Sequence, residues 1–377
     1  MRSLLPFTLV AACTACAPPN LQGVDGRAPS SDREAIINGA ACGEADEPTA
    51  VAIFVDASID LGGQALNITQ VSCTGTLIAP DVVLTAAHCT DPTLLTLGFG
   101  EVLRADYYVS FEADLSRFAA NESPEPLALP DSAIPVRDHV AHPDFDIEAF
   151  SNVDGLGDYK DVALLFLAVA VDDVPPEIVI TEAEAQQLTV GASVTIAGWG
   201  QQTQTSGPFD PPPAGSVGIK VCGQSQINEV SDLEMQIGGD DSTTRKCHGD
   251  SGGPSYLIVD TDSPIKRRVV GITSHAYDAS DCAKGGVDTR VDAFLGWIDG
   301  EMKSRCGDSS RVWCDVQGIL PPSHVPTEGE GEGEGEGEGE GEELPPPRSW
   351  GCAGCATTPA EGAAAIMLLG LLRRRRR

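Results

Sequence analysis

Positive charge is scarce in this chain. Its 377 residues carry 24 Lys and Arg against 56 Asp and Glu, a formal net charge of −32. Such a surface repels phosphate backbones, which excludes nucleic acid as a partner. It suits an exported protein kept dispersed by its own charge. Aromatic residues are few, at 5%. Apolar runs long enough to cross a bilayer are missing: residues 4–12 and 363–372 each reach only about half of the roughly 20 residues a span requires. Membrane contact is therefore expected only through the terminal segments. Also missing are the Cys-x-x-Cys pairs with partner histidines that structural zinc uses. The two such cysteine pairs, Cys13/Cys16 and Cys352/Cys355, lie in terminal segments where export explains them better. No metal and no cofactor is expected.

Cysteine itself is abundant, with twelve residues, and the eight outside those pairs read as a disulfide set made in an oxidising compartment. Residues 1–16 have the charged start, short apolar core and small residues of an export signal. Within it, Val10-Ala11-Ala12-Cys13 resembles a bacterial lipoprotein cleavage box, which would place a lipid on Cys13. An ordinary secretory cut near Ala15 or Ala17 is the alternative. Residues 17–35 have little to bury and read as a flexible propeptide. From Ile36 to about Met302 the texture changes to short apolar runs broken by turns: 51–55, 73–78, 82–86, 162–167, 194–197 and 269–272. These are candidate strands of an all-β domain, a sandwich or barrel rather than alternating β–α units. Phe294-Leu295-Gly296-Trp297-Ile298 looks like the apolar face of a short closing helix.

Residues 304–327 form an extension in which Cys306 and Cys314 are expected to pair with each other. Glu-Gly repeats and prolines fill 328–348; nothing there can be buried and its glutamates repel, so a disordered spacer is expected. Flexible Glu-Gly lacks the preorganised geometry of a calcium site. Residues 349–377 combine Cys352-Ala353-Gly354-Cys355, a short apolar stretch and five arginines. That combination resembles the C-terminal sorting tails of myxobacterial surface proteins, which implies a cut near Cys352 or Cys355 and tethering to the cell envelope. An uncut, weakly hydrophobic anchor is the alternative.

Three strings can carry chemistry. Gly249-Asp250-Ser251-Gly252-Gly253-Pro254 sets a serine on a turn of small residues, where the hydroxyl is exposed beside main-chain N–H groups. A serine nucleophile needs that exposure, and it needs donors where negative charge develops. A plain glycine-rich turn would look the same. Thr85-Ala86-Ala87-His88-Cys89 places a histidine at the end of a strand-like run, and Asp161 heads the apolar run Val162-Ala163-Leu164-Leu165. In this order the three strings resemble the chymotrypsin/trypsin family of serine proteases, over about residues 36–303.

The resemblance implies two packed antiparallel six-stranded β-barrels, a short C-terminal helix and an active site in the cleft between the barrels. It implies that Ser251 attacks, His88 transfers the proton and Asp161 orients His88, with the N–H groups of Gly249 and Ser251 as the oxyanion hole. It implies the bridges Cys42–Cys222, Cys73–Cys89 and Cys247–Cys282. Ile36-Ile37-Asn38-Gly39 resembles the family's mature N-terminus, so a zymogen is expected whose cleavage before Ile36 frees an ammonium to pair with Asp250. Ala35 precedes Ile36, and Arg33 is three residues away, so an activating protease that accepts alanine is required.

The specificity pocket would have Arg245 at its floor, Lys246 next to it, and walls of Ser274, His275, Ala276 and Gly286. His275 stands where the family usually has tryptophan and Ala276 where it has glycine. Arg245 is expected to face inward and give a preference for acidic side chains. An Arg245 turned away towards Asp240 or Asp241 would leave a pocket for small apolar ones. The expectation is thus a monomeric, secreted or surface-bound serine endopeptidase acting on proteins or peptides. A non-catalytic binding module on the same fold, or a structural surface protein, is the competing reading.

Overall fold

The computed structural model describes residues 36–60, 62–63, 65–95, 100–119, 128–150, 153–202, 216–240, 242–278 and 281–320. The expectations for the signal, propeptide, spacer and tail lie outside these residues, as does Asp241. A two-residue strand, β1 (Ala40–Ala41), leads into the first barrel. That barrel is built from β2 (Ala50–Asp60), β3 (Ala65–Ala79), β4 (Val82–Thr85), β5 (Glu101–Ser110), β6 (Ile134–Ala141) and β7 (Ala163–Leu167). It closes antiparallel in the order β2-β3-β4-β7-β6-β5. The second barrel uses β8 (Ser193–Gly198), β9 (Val221–Val230), β10 (Glu234–Ile237), β11 (Pro254–Ile258), β12 (Arg267–Asp278) and β13 (Asp281–Arg290). Its order is β9-β10-β13-β12-β11-β8, pairing of β8 with β9 closes it, and β1 lies on the outer edge of β9.

The apolar runs explain the inner strands. Every residue of β4 and β7 is buried, as Val-, Leu- and Phe-rich strings with both faces covered should be. β2 and β3 are 11 and 15 residues long, beyond the short strands expected. They extend because they pair from Ala50↔Thr76 to Asp60↔Ala65, with one bulge between Ile53 and Phe54. Their outer halves carry polar residues that a search for apolar runs passes over.

The barrels meet through specific bonds. The Tyr256 hydroxyl on β11 lies 2.9 Å from Thr49 Oγ1 and 3.0 Å from Thr76 Oγ1. Thr74 N–H on β3 donates to the Ser251 carbonyl at 2.8 Å. The bridges Cys42–Cys222, Cys73–Cys89, Cys247–Cys282 and Cys306–Cys314 are all formed.

α1 (Ile147–Phe150) is one short turn, and α2 (Leu295–Gly307) closes the domain. α2 runs through the domain boundary expected at 303. The chain beyond it also packs back on the first barrel. Arg311, fully buried, pairs with fully buried Asp81 at 2.7 Å in the turn between β3 and β4. Asp81 also accepts the N–H groups of Val312 and Trp313. The folded unit therefore continues to Leu320.

Candidate active site

His88 sits on a 3-10 turn, Ala87–Thr90, that follows β4 directly. The Cys73–Cys89 bridge ties this turn to β3, and the Tyr107 hydroxyl on β5 holds the Thr90 carbonyl at 3.0 Å. Asp161 lies just before β7, and β7 pairs with β4, so the two residues are delivered to the same barrel end. Asp161 is fully buried. Its Oδ1 accepts the His88 backbone N–H at 2.9 Å, and its Oδ2 accepts His88 Nδ1–H at 2.7 Å and the Ser274 hydroxyl at 2.7 Å. Burial pushes the Asp161 carboxyl up, but His88 and these hydrogen bonds outweigh it and hold the group below the usual carboxylate range. The proton is thereby fixed on Nδ1 and Nε2 is left to accept. The Phe150 ring stacks on the imidazole, centroids 4.9 Å apart and planes 19° from parallel.

Ser251 lies on the loop that sequence reasoning singled out. Gly249 and Gly252 both have positive φ, +91° and +76°. A Cβ on Gly252 would lie 2.0 Å from Thr85 Oγ1, so only glycine fits. The loop is pinned by Gly252 N–H to the Thr273 carbonyl (2.7 Å) and Gly253 N–H to the Asp250 carbonyl (2.8 Å). Among the described residues, the N–H groups of Gly249 and Ser251 donate to no protein acceptor. Two free donors beside a serine hydroxyl make a place where an oxyanion can be held.

Asp250 points the other way, into the protein. Gly200 N–H (2.9 Å) and Cys247 N–H (3.0 Å) bind its two oxygens. Burial nevertheless raises it to about 7, those hydrogen bonds and the Lys246 charge only partly opposing. Ile36 is also fully buried, and its φ of +50° is abnormal for a β-branched residue. Ile37 bridges to Arg245, whose N–H donates to the Ile37 carbonyl at 3.0 Å.

His88 and Ser251 line one cavity of about 270 Å³, with Lys246, Ser274, Ala276 and the Cys247–Cys282 bridge around it. Arg245 is not part of the lining. Its Nε donates to the Cys282 carbonyl (2.9 Å) and its Nη1 to the Asp240 carbonyl (2.8 Å). The bridge to Ile37 sets that direction, and because neighbours in extended backbone alternate sides, Lys246 turns inward. The inward Arg245 expected from the sequence, and with it the expected acidic preference, is therefore corrected: the structure turns this side chain outward. Lys246 Nζ is bound by both oxygens of buried Asp288, at 2.9 and 2.8 Å, and by Ser255 Oγ at 2.9 Å. Gly286 lies against Lys246: a Cβ there would stand 3.3 Å from Lys246 Cβ.

His275 also lines the cavity, its Nδ1–H donating to the Ala276 carbonyl at 2.9 Å and its Nε2 lying 3.7 Å from buried Glu234. Sequence reasoning missed Phe150, Glu234 and Asp288. None of the three carries a local signal: Asp288 lies in the mixed string of β13, which also holds Asp281, Lys284 and Arg290, and Glu234 merely opens the short β10. Two clusters pair a histidine with two cysteines, Cys73/His88/Cys89 and Cys247/His248/Cys282, but the sulfurs are disulfide-bonded and offer no thiolate to a metal.

The family model described as Trypsin matches residues 36–298. The chain is 30% identical over 244 residues to a trypsin of Phaedon cochleariae, covering 61% of this chain and 79% of that protein. It is 28% identical over 298 residues to kallikrein 1-related peptidase b3 of Mus musculus, covering 75% and 95%. It is also 28% identical over 255 residues to melanization protease 1 of Drosophila melanogaster, covering 63% and 60%.

Proposed function

Since the chain belongs to the trypsin family of serine proteases, we propose that it is an exported serine endopeptidase working through Ser251, His88 and Asp161. The observation that carries this reading is Asp161, which grips His88 at both its backbone N–H and Nδ1 while His88 and Ser251 share one cavity. His88 Nε2 takes the Ser251 proton as Oγ attacks the substrate carbonyl. The resulting imidazolium is stabilised by Asp161 and then protonates the leaving amine. The unengaged N–H groups of Gly249 and Ser251 receive the oxyanion. Water, deprotonated by the same histidine, releases the acyl group.

The chain is made as a precursor and activated by cleavage before Ile36. Two features support this. Asp250 is a buried carboxylate raised to about 7, which a new α-ammonium would bring down by pairing with it. Ile36 carries a strained φ, and cutting the preceding peptide bond abolishes that torsion and releases about 1–3 kcal/mol. Four disulfides support export, and the arginine-ended tail supports tethering to the envelope. The partners are protein substrates and an activating protease that accepts alanine at position 35; the processed enzyme acts as a monomer. A serine-reactive fluorophosphonate tests the core of the reading. Labelling of the processed chain, lost in Ser251→Ala, is the expected result; no labelling after N-terminal sequencing has verified Ile36 as the first residue would overturn it in favour of a non-catalytic binding module.

A further inference from the structure

The charged residue facing the cavity is Lys246, and its charge is already spent. Its ammonium is bound by both oxygens of Asp288 and by Ser255 Oγ, with the Gly253 carbonyl at 3.4 Å. An ammonium has three protons to donate, so nothing is left for a ligand. Asp288 is fully buried on β13, and Lys246 is 1% exposed in its side chain. Asp288 is not in the cavity lining, so it stands behind Lys246. Arg245, the other cation at this end, is committed to the Cys282 and Asp240 carbonyls. The remaining walls include Thr273, Ser274, Ala276 and the Cys247–Cys282 bridge, which are short and uncharged.

We propose that the Lys246–Asp288 pair neutralises this cavity from within and restricts it to short, uncharged side chains, such as Ala, Ser and Thr, on the residue before the scissile bond. This rests on the reading of the cavity as the site that takes that residue. An acidic side chain entering it would have to pull Lys246 off Asp288. A basic one finds the carboxylate screened by the lysine. In either case a buried charge would be left unpaired, which binding does not offset. A long side chain of any kind would have to displace the Lys246 stem, which lines the cavity beside Gly286. The pair therefore masks two opposite preferences, each of which appears when its opponent is removed.

The test uses the processed chain and a peptide series varied only before the scissile bond, with Ala, Ser, Thr, Phe, Asp, Glu, Lys and Arg. Fluorophosphonate labelling is measured in parallel. The expected result is labelling together with kcat/KM for Ala, Ser and Thr peptides at least about tenfold above the charged ones and Phe. Labelling with preferred cleavage after Asp, Glu, Lys, Arg or Phe overturns the proposal and leaves the peptidase reading intact. Absence of labelling overturns both. Asp288→Asn should raise cleavage after Asp and Glu relative to Ala about tenfold, and Lys246→Ser should do the same for Lys and Arg. A labelled variant with the wild-type preference counts against the mask. The wild-type series decides the matter if either variant fails to fold.

Discussion

Asp250 links one residue to the state of the whole chain. Its folded value, about 7, lies above the ordinary value of 3.8. The folded protein therefore binds a proton more tightly than the unfolded chain. The resulting stability is full below about pH 4 and is lost as pH rises through 7, to an extent on the order of 4 kcal/mol. In denaturant titrations of the uncleaved Ser251→Ala chain, the advantage of pH 5 over pH 8 should shrink when Asp250→Asn is added. If the advantage is unchanged, Asp250 is ionised throughout. Asp161 makes the complementary case, a buried carboxylate held low by what it binds. Asp161→Asn would present an amide to Nδ1 and favour the wrong tautomer; kcat should fall by about 10⁴ with little change in KM. Ser274→Ala removes one of the donors to Asp161 and should lower kcat by about tenfold, read most clearly as a shift of the pH–rate profile.

The extension after α2 is the element that the sequence most undersold. Read from composition, it is a short stretch clipped by its own disulfide. In the fold, Arg311 fills a buried position and is tied to Asp81, to the Met302 carbonyl and to the Val316 and Gln317 carbonyls. Arg305 of α2 lies over the Phe166 ring of β7 at 4.4 Å, so the helix packs on β7 while the extension grips the turn between β3 and β4. Removing one partner of a buried ion pair leaves the other uncompensated and costs about 3–5 kcal/mol. Arg311→Ala should therefore lower the Tm by about 10 °C, and truncation after residue 303 should do at least as much. A Tm within a degree of wild type would mean that the extension merely rests on the barrel. The inner strands β4, β7 and β8 were legible as apolar runs. β5, β6, β9, β10 and β13 were not, because their residues are a mixture whose burial depends on which barrel face they meet.

At the scale of the whole molecule, the two barrels are joined by loops and bonds that come from distant parts of the chain. Cys42–Cys222 closes a separation of 180 residues and fixes β1, just after Ile36, to the second barrel. Loop-closure entropy alone gives this bridge about 5 kcal/mol. Replacing both cysteines with serine should lower the denaturation midpoint by a corresponding amount while leaving fluorophosphonate labelling of the folded fraction in place. Loss of labelling with no loss of stability would instead make the bridge part of the site.

The sequence by itself determined the fold class and the short strings able to carry chemistry, because both rest on local rules. Alternation of apolar runs and turns specifies strands, and the serine string becomes distinctive in order with the histidine and aspartate strings. Only the tertiary structure decided that Arg245 faces outward, that Lys246 faces inward against Asp288, and that residues 308–320 belong to the folded domain. Side-chain direction in an extended segment follows from its pairing partner, and for Arg245 that partner is Ile37, far away in the chain. A charge buried opposite its counter-ion likewise has no signature until the strands that bring the two together have closed.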